Sequence, residues 1–213
     1  MIKRMQNESK YEIIQIVSNI MEANCYLINY NNKTIIVDPC VDVKVLKRYD
    51  VKEVEGILLT HCHVDHIYYL NEIVKEYDPI IYMSNKGLKM VCDDNLNLSN
   101  YFGGGLNINE SSFQYKLVND NDLIIDELNI KCIYTPGHTK DSMCYLLNND
   151  LFTGDTLFDR SIGRTDFPTG NTLEMRNSLR KILSFNKDFI IYPGHNNTST
   201  INEQKEKNYY LKF

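Results

Sequence analysis

The chain has 213 residues, 43% of them apolar and 24% charged, and carries a net charge of −5. That is close to ordinary globular usage and long enough to bury a substantial core, while the acidic balance gives no clustered basic surface for a nucleic acid. No apolar run approaches the roughly 20 residues of a membrane span.

The N-terminal Met1–Asn7 is charged and has no apolar segment behind it, so it does not read as a secretory signal, and the expected location is the cytoplasm. Tyr11–Val17 and Asn24–Tyr30 are rich in Ile, Val and Tyr and predict strands. Asn31-Asn32 is a good hairpin turn because Asn tolerates positive φ, and Thr34–Val37 returns as a third strand ending at Asp38-Pro39. Val43–Tyr49 predicts a short helix, and Gly56–Leu59 is a continuous apolar run, hence a buried strand. Ile67–Tyr77 has a helical stripe, Pro79–Met83 is a further strand, and Lys86–Cys92 is a helix candidate. The stretch 94–112, with Gly103-Gly104-Gly105 and many Asn and Ser residues, reads as a flexible loop beside the site, where Tyr101 and Phe102 are candidates to line a pocket. A glycine run without a following Lys-Ser/Thr is a poor phosphate-loop signal.

In the second half Leu123–Ile125, Ile130–Tyr134, Met143–Leu147, Leu151-Phe152 and Phe189–Tyr192 predict strands, and Thr172–Leu183 a helix. The Lys205–Lys212 run is expected to form a solvated helix face. Six cysteines without a C-x-x-C pair are expected to be free buried thiols, Cys62 included. Strands then helices in each half predict two sheets packed face to face with helices outside, in a single domain over 1–213.

The chain has five histidines, His61, His63, His66, His138 and His195, and each follows a predicted strand by a few residues. Three fall in Thr60-His61-Cys62-His63-Val64-Asp65-His66, and the others follow Pro-Gly pairs at 136–137 and 193–194, which stop a strand and turn the backbone sharply. In an extended segment His61 and His63 project to one side and can chelate one ion, while Asp65 and His66 can face a neighbouring position. Asp155, at the end of another strand, can bridge two cations through its two oxygens. This set offers more ligands than one closed tetrahedral ion needs, so it points to a metal site rather than a structural zinc.

These residues resemble the metallo-β-lactamase superfamily, whose hallmark is a T-H-x-H-x-D-H turn. The resemblance takes in Val37-Asp38-Pro39, Thr60–His66, Pro136-Gly137-His138, Gly154-Asp155-Thr156 and Pro193-Gly194-His195, in order. It implies an α/β fold, a four-layer αβ/βα sandwich of two mixed sheets with outer helices and the metals at one edge between the sheets. It also implies that His61, His63 and His138 hold a first divalent ion, that Asp65, His66 and His195 hold a second, and that Asp155 bridges them. Asp38 is similar to a family acid that supports a ligating histidine from behind. Zinc is the expected metal, with iron or manganese compatible.

The stretch Ser161–Pro168 after Gly154–Phe158 is similar to the short glyoxalase-II-like hydrolases. The chain ends 18 residues after His195, so the C-terminal helical domain of full-length glyoxalase II is expected to be absent. Asn196-Asn197 departs from the G-H-G-P usual in the family. Arg164 lies where those hydrolases carry a basic residue near the thioester; it is a candidate to fork onto a substrate carboxylate, or to pair internally with Asp159 or Asp166. The expected activity is hydrolysis of a small acyl-thioester, with Asp65 and Asp155 as the catalytic carboxylates. The alternatives are a persulfide dioxygenase with one iron on His61, His138 and Asp155, and a non-catalytic metal-binding protein.

Overall fold

The structure, a computed structural model, describes residues 3–4, 11–102 and 104–212. Most of Met1–Asn7 and the first glycine of the 103–105 run therefore lie outside the described residues. The first sheet has seven strands in sequence order: β1 (Lys3–Arg4), β2 (Glu12–Val17), β3 (Asn24–Tyr30), β4 (Lys33–Val37), β5 (Val54–Leu58), β6 (Ile80–Ser84) and β7 (Gln114–Val118). Strands β1 to β4 pair antiparallel, and β4 to β7 pair parallel. The second sheet holds β8 (Leu123–Ile124), β9 (Ile130–Tyr134), β10 (Met143–Leu147), β11 (Asp150–Gly154), β14 (Ile190–Pro193) and β15 (Ser199–Thr200). It is also mixed, because β11 and β14 run parallel. Between them β12 (Leu157–Phe158) and β13 (Ser161–Ile162) form a small ribbon.

The period-two alternation of β3 shows how the layers arise. Cys25 and Leu27 point to an outer cluster with Leu46, Ile73 and Met90, whereas Tyr26, Ile28 and Tyr30 point to an inner cluster shared with Tyr145, Phe152 and Tyr192 of the second sheet. The outer cluster is covered by α1 (Val43–Arg48), α3 (Leu70–Tyr77) and α4 (Gly87–Val91). The second sheet buries Ile133, Leu151 and Ile191 against Met175, Leu179 and Ile182 of α6 (Thr172–Leu183) and Ile201 of α7 (Ile201–Lys207). The result is the expected four-layer sandwich. All six cysteines are free and five are buried, Cys92 being half-buried. Among the described residues no helix is long and apolar enough to cross a membrane.

Several boundaries differ from the sequence reading. The helix expected at Ile67–Tyr77 is two helices, α2 (Val64–Ile67) and α3, because the Tyr69 N–H turns aside to the Pro39 carbonyl. The described residues of 94–112 gather around Asp94, whose carboxylate accepts from the Ser99 hydroxyl and the Leu106 and Asn107 N–H groups, and they include α5 (Ser99–Phe102). Edge strand β7 escaped notice because Gln114–Val118 is polar and mostly exposed. Helix α7 starts earlier than the lysine run, at a capping box of Thr200 and Glu203.

Candidate metal centre

Strand β5 delivers the chain to Thr60, after which residues 61–63 have no regular structure and His63, with extended backbone, stands at the N-terminal boundary of α2. His61 and His63 therefore stand side by side, with ring centroids 4.9 Å apart. Asp65 and His66 follow on the first turn of α2 rather than in a continuing loop, and the helical rotation turns them to a different side. His138 follows β9 through Gly137, whose φ of 145° and close approach to the Met175 backbone leave no room for a side chain. Gly194 before His195 is needed for space rather than for a turn: a Cβ there would lie 2.2 Å from Asp155 Oδ1 and 2.7 Å from His66 Cε1.

All seven predicted ligands converge. The ligand atoms of His61, His63 and His138 lie within 4.8 Å of one another, and so do those of Asp65, His66 and His195. His63 Nδ1 is 2.9 Å from His138 Nε2. His195 Nε2 is 3.2 Å from Asp65 Oδ2 and 3.4 Å from His66 Nε2. Asp155 faces both groups: Oδ2 lies 3.5 Å from His138 Nε2 and 4.0 Å from His61 Nε2, while Oδ1 lies 3.3 Å from His66 Nε2. His61 Nε2 is buried and makes no hydrogen bond. A buried imidazole edge without a partner, aimed at two others, is the arrangement a cation completes.

Each ligand face is set from behind. Asp38, itself at φ 58°, accepts from the Thr60 N–H and hydroxyl at 2.8 and 2.6 Å and from His66 Nδ1 at 2.8 Å. Its position also closes a third ligand-like trio with His61 and His66. His138 Nδ1–H donates to the Arg164 carbonyl at 2.7 Å, which leaves Nε2 for the site. The Phe167 ring packs edge-on to His63 with centroids 5.6 Å apart. The sequence reading assigned no role to the Thr60 hydroxyl, the Arg164 carbonyl or Phe167. Only Thr60 carried a signal, its place in the histidine turn.

The two groups differ in charge. Burial, and then the positive neighbour His66, push His61 far down; burial and His138 push His63 down to about 3. These are neutral rings with lone pairs. Burial also opposes charge on His66, but Asp65, Asp155 and Asp38 outweigh it and hold its pKa well above the ordinary value. Burial would raise Asp155, yet His66 and its neighbours keep it ionised. In the second group protons thus neutralise carboxylates that a divalent ion would neutralise in their place.

Comparison with known proteins decides the family. The sequence model described as the metallo-beta-lactamase superfamily matches residues 20–195. This chain belongs to the metallo-beta-lactamase superfamily. It is 31% identical over 184 residues to a probable metallo-hydrolase of Methanocaldococcus jannaschii, covering 81% of this chain and 87% of that one. It is 28% identical over 198 residues to the probable metallo-hydrolase YqgX of Bacillus subtilis, covering 90% and 93%. Among solved structures it is similar to the BLEG-1 B3 metallo-beta-lactamase, with a TM-score of 0.86 and 30% identity over 94% of this chain and all of that one. These relatives support a hydrolase-type enzyme, and this chain has a His/Asp cluster that could hold metal.

In this superfamily member the cluster opens into a cleft of about 290 Å³. His63, Asp65, His138, Asp155 and His195 form its floor, and Phe102, Phe158 and Phe167 stand among its walls. Tyr101 is not among the lining residues, while Phe102 is. Arg164 also lines the cleft, but its Nε and Nη2 both donate to Asp166 at 2.7 Å, the internal pair foreseen as its second option. Cys62 is buried and points away toward the Gly87 carbonyl.

Proposed function

We propose that this protein hydrolyses a small acyl-thioester at a two-metal centre, with His61, His63 and His138 on one ion, Asp65, His66 and His195 on the other, and Asp155 between them. Zinc suits the imidazole-rich donor set, and the carboxylates also tolerate iron or manganese. The reading is carried by one observation: two complete three-ligand groups share a carboxylate that faces both. A single iron on His61, His138 and Asp155 would leave Asp65, His66 and His195 without an ion. The thioester, rather than another acyl compound, is favoured by the resemblance of 154–168 to the glyoxalase-II-like hydrolases.

Divalent ions bound there would supply Lewis acidity, polarising the carbonyl and acidifying a water. The chain's residues do the rest. Asp65 and Asp155 orient the attacking water at the cleft floor, and the Asp65 carboxylate accepts its proton. Water adds to the carbonyl carbon, the carbon–sulfur bond breaks, and the departing thiolate takes the proton from Asp65. Asp38, through His66, and the Arg164 carbonyl, through His138, keep the ligand geometry fixed during turnover.

The test is metal analysis of protein purified without added metal, together with thiol release from an acyl-thioester panel. Two ions per chain and turnover lost by more than about 100-fold in His63→Ala are expected, beyond what loss of an outer partner costs. One iron per chain with oxygen uptake on a persulfide overturns the proposal. A second reading, β-lactam hydrolysis, is favoured by the 30% identity to the BLEG-1 enzyme, and a β-lactam in the same panel separates the two.

A further inference from the structure

We propose that the acyl group this site accepts is neutral and apolar, and that Met21 is a specificity residue held over the cleft to select it. The inference rests on the thioester reading above and narrows its substrate class.

Above the ligand floor the cleft is a collar of Met21, Val64, Leu98, Phe102, Phe158 and Phe167. Among the described lining residues Arg164 is the one lysine or arginine. Its Nε–Nη2 edge is occupied by Asp166, and its guanidinium carbon lies over the Phe167 ring, 4.0 Å from the centroid. A substrate carboxylate would have to displace Asp166 to take the Nε–Nη2 edge, and at the outer edge it meets a guanidinium whose charge Asp166 already balances. An alkyl chain needs no displacement, and its burial against the collar is favourable. Met21 and Phe102 are large apolar side chains, yet 46% and 53% exposed, and both stand at this cleft. Exposed apolar groups gathered at a concave site mark a surface that a ligand covers.

The backbone gives independent support. The β3–β4 hairpin turns on Asn31 and Asn32, at φ 44° and 62°. The β2–β3 hairpin makes the same kind of turn on Met21 and Glu22, at φ 50° and 57°, closed by the Ala23 N–H on the Ile20 carbonyl. Such turns favour Asn and Gly, since other side chains crowd the backbone at positive φ. The chain uses suitable residues in the first hairpin and unsuitable ones in the second. The second turn is clamped in compensation: the Ser18 hydroxyl accepts from the Ile20 N–H and donates to the Cys40 carbonyl, and the Ser18 N–H donates to Ala23. Strain that persists because its surroundings impose it is found where a side chain has a task. The side chain presented here is Met21, a flexible apolar group that adapts to irregular partners.

The experiment uses the metal-loaded full chain and three thioesters of N-acetylcysteamine: acetyl, hexanoyl and succinyl. Binding is measured in parallel, by calorimetry, with the hexanoyl and succinyl ketone analogues in which methylene replaces sulfur. The variants are Met21→Asn, which suits positive φ, and Asp166→Ala, which frees the Arg164 fork. For wild type, kcat/KM on hexanoyl should exceed that on acetyl and succinyl by at least about tenfold, since each buried methylene is worth about fourfold. Met21→Asn should reduce the hexanoyl preference at least about threefold without lowering the melting temperature. Asp166→Ala should raise succinyl turnover about tenfold, the worth of a charged hydrogen bond. Equal or better use of the succinyl ester by wild type, or an unchanged preference in Met21→Asn, overturns the inference. If no thioester is turned over, the thioester reading falls. The ketone analogues still decide the inference: tighter hexanoyl binding sustains it, and tighter or equal succinyl binding overturns it.

Discussion

Oδ2 of Asp38 lies 2.8 Å from Nδ1 of His66, leaving Nε2 of that ring to face Asp65, Asp155 and His195. One carboxylate thus ties the end of β4 to the first turn of α2 and sets which nitrogen enters the site. Asp38→Ala should weaken metal binding and turnover about 10- to 100-fold, the usual cost of losing a partner behind a ligand. Competition with a chelator of known affinity measures it. Unchanged metal affinity would show that His66 is oriented by other contacts.

Gly194→Ala places a Cβ 2.2 Å from Asp155 Oδ1, a distance at which something must move. The expected outcome is a loss of two-ion stoichiometry and of activity, while circular dichroism stays native-like because the clash lies at the sheet edge. Two tightly bound ions in the variant would mean that Asp155 can shift without harm.

Removing metal should lower the melting temperature. Ions that bind only the folded chain stabilise it by about 2.7 kcal/mol when free metal stands at 100 times Kd. Calorimetry of stripped and reloaded protein checks this, and zinc, iron and manganese can be ranked by the shift each restores.

The stripped protein should also show a pH optimum of stability near pH 6.5. His63 has its folded pKa lowered to about 3, so the unfolded chain binds the extra proton first and stability is lost as pH falls from about 6.5 towards 3. His66 has its folded pKa raised, so its contribution is fully present below about 6.5 and is lost as pH climbs through the folded value. Denaturant melts across pH 4–9 would show both limbs, and His63→Gln should flatten the acid limb. Stability that climbs on acidification from pH 6.5 would contradict the burial assigned to His63.

Asp94→Ala should release the loop that carries Leu98 and Phe102 over the cleft, since one carboxylate accepts from Ser99, Leu106 and Asn107. KM should rise about 10-fold or more and by more than kcat falls, because the loop lines the cleft and meets the ligand turn at the backbone, where the Asn97 carbonyl accepts from the Val64 N–H. A fall in kcat alone would place the loop's effect at the chemistry instead.

Much of the frame could be read along the chain. Alternation in β3 and helical spacing in α6 depend on neighbours two to four residues apart, so they announced themselves, as did the Asn31-Asn32 turn. The histidine turn and the Pro-Gly-His pairs were equally legible, because ligand chemistry restricts the residue types allowed. Edge strand β7 was not, since Gln114–Val118 buries little and is a strand only through its parallel partner β6. Nor was the order in 94–112, which depends on the single carboxylate of Asp94 rather than on a periodic pattern.

By itself the sequence determined which His and Asp residues are candidate donors, most of the strands that deliver them and the sandwich that those strands build. Tertiary structure alone decided how the donors are used. It set the Asp38–His66 and Arg164–His138 contacts, brought Asp155 between two groups whose members lie up to 134 positions apart, from His61 to His195, paired Arg164 with Asp166, and brought Met21 to the cleft. Local patterns record only what near neighbours require. Contacts across two sheets arise when both bury their apolar faces against each other, and no local pattern carries that geometry.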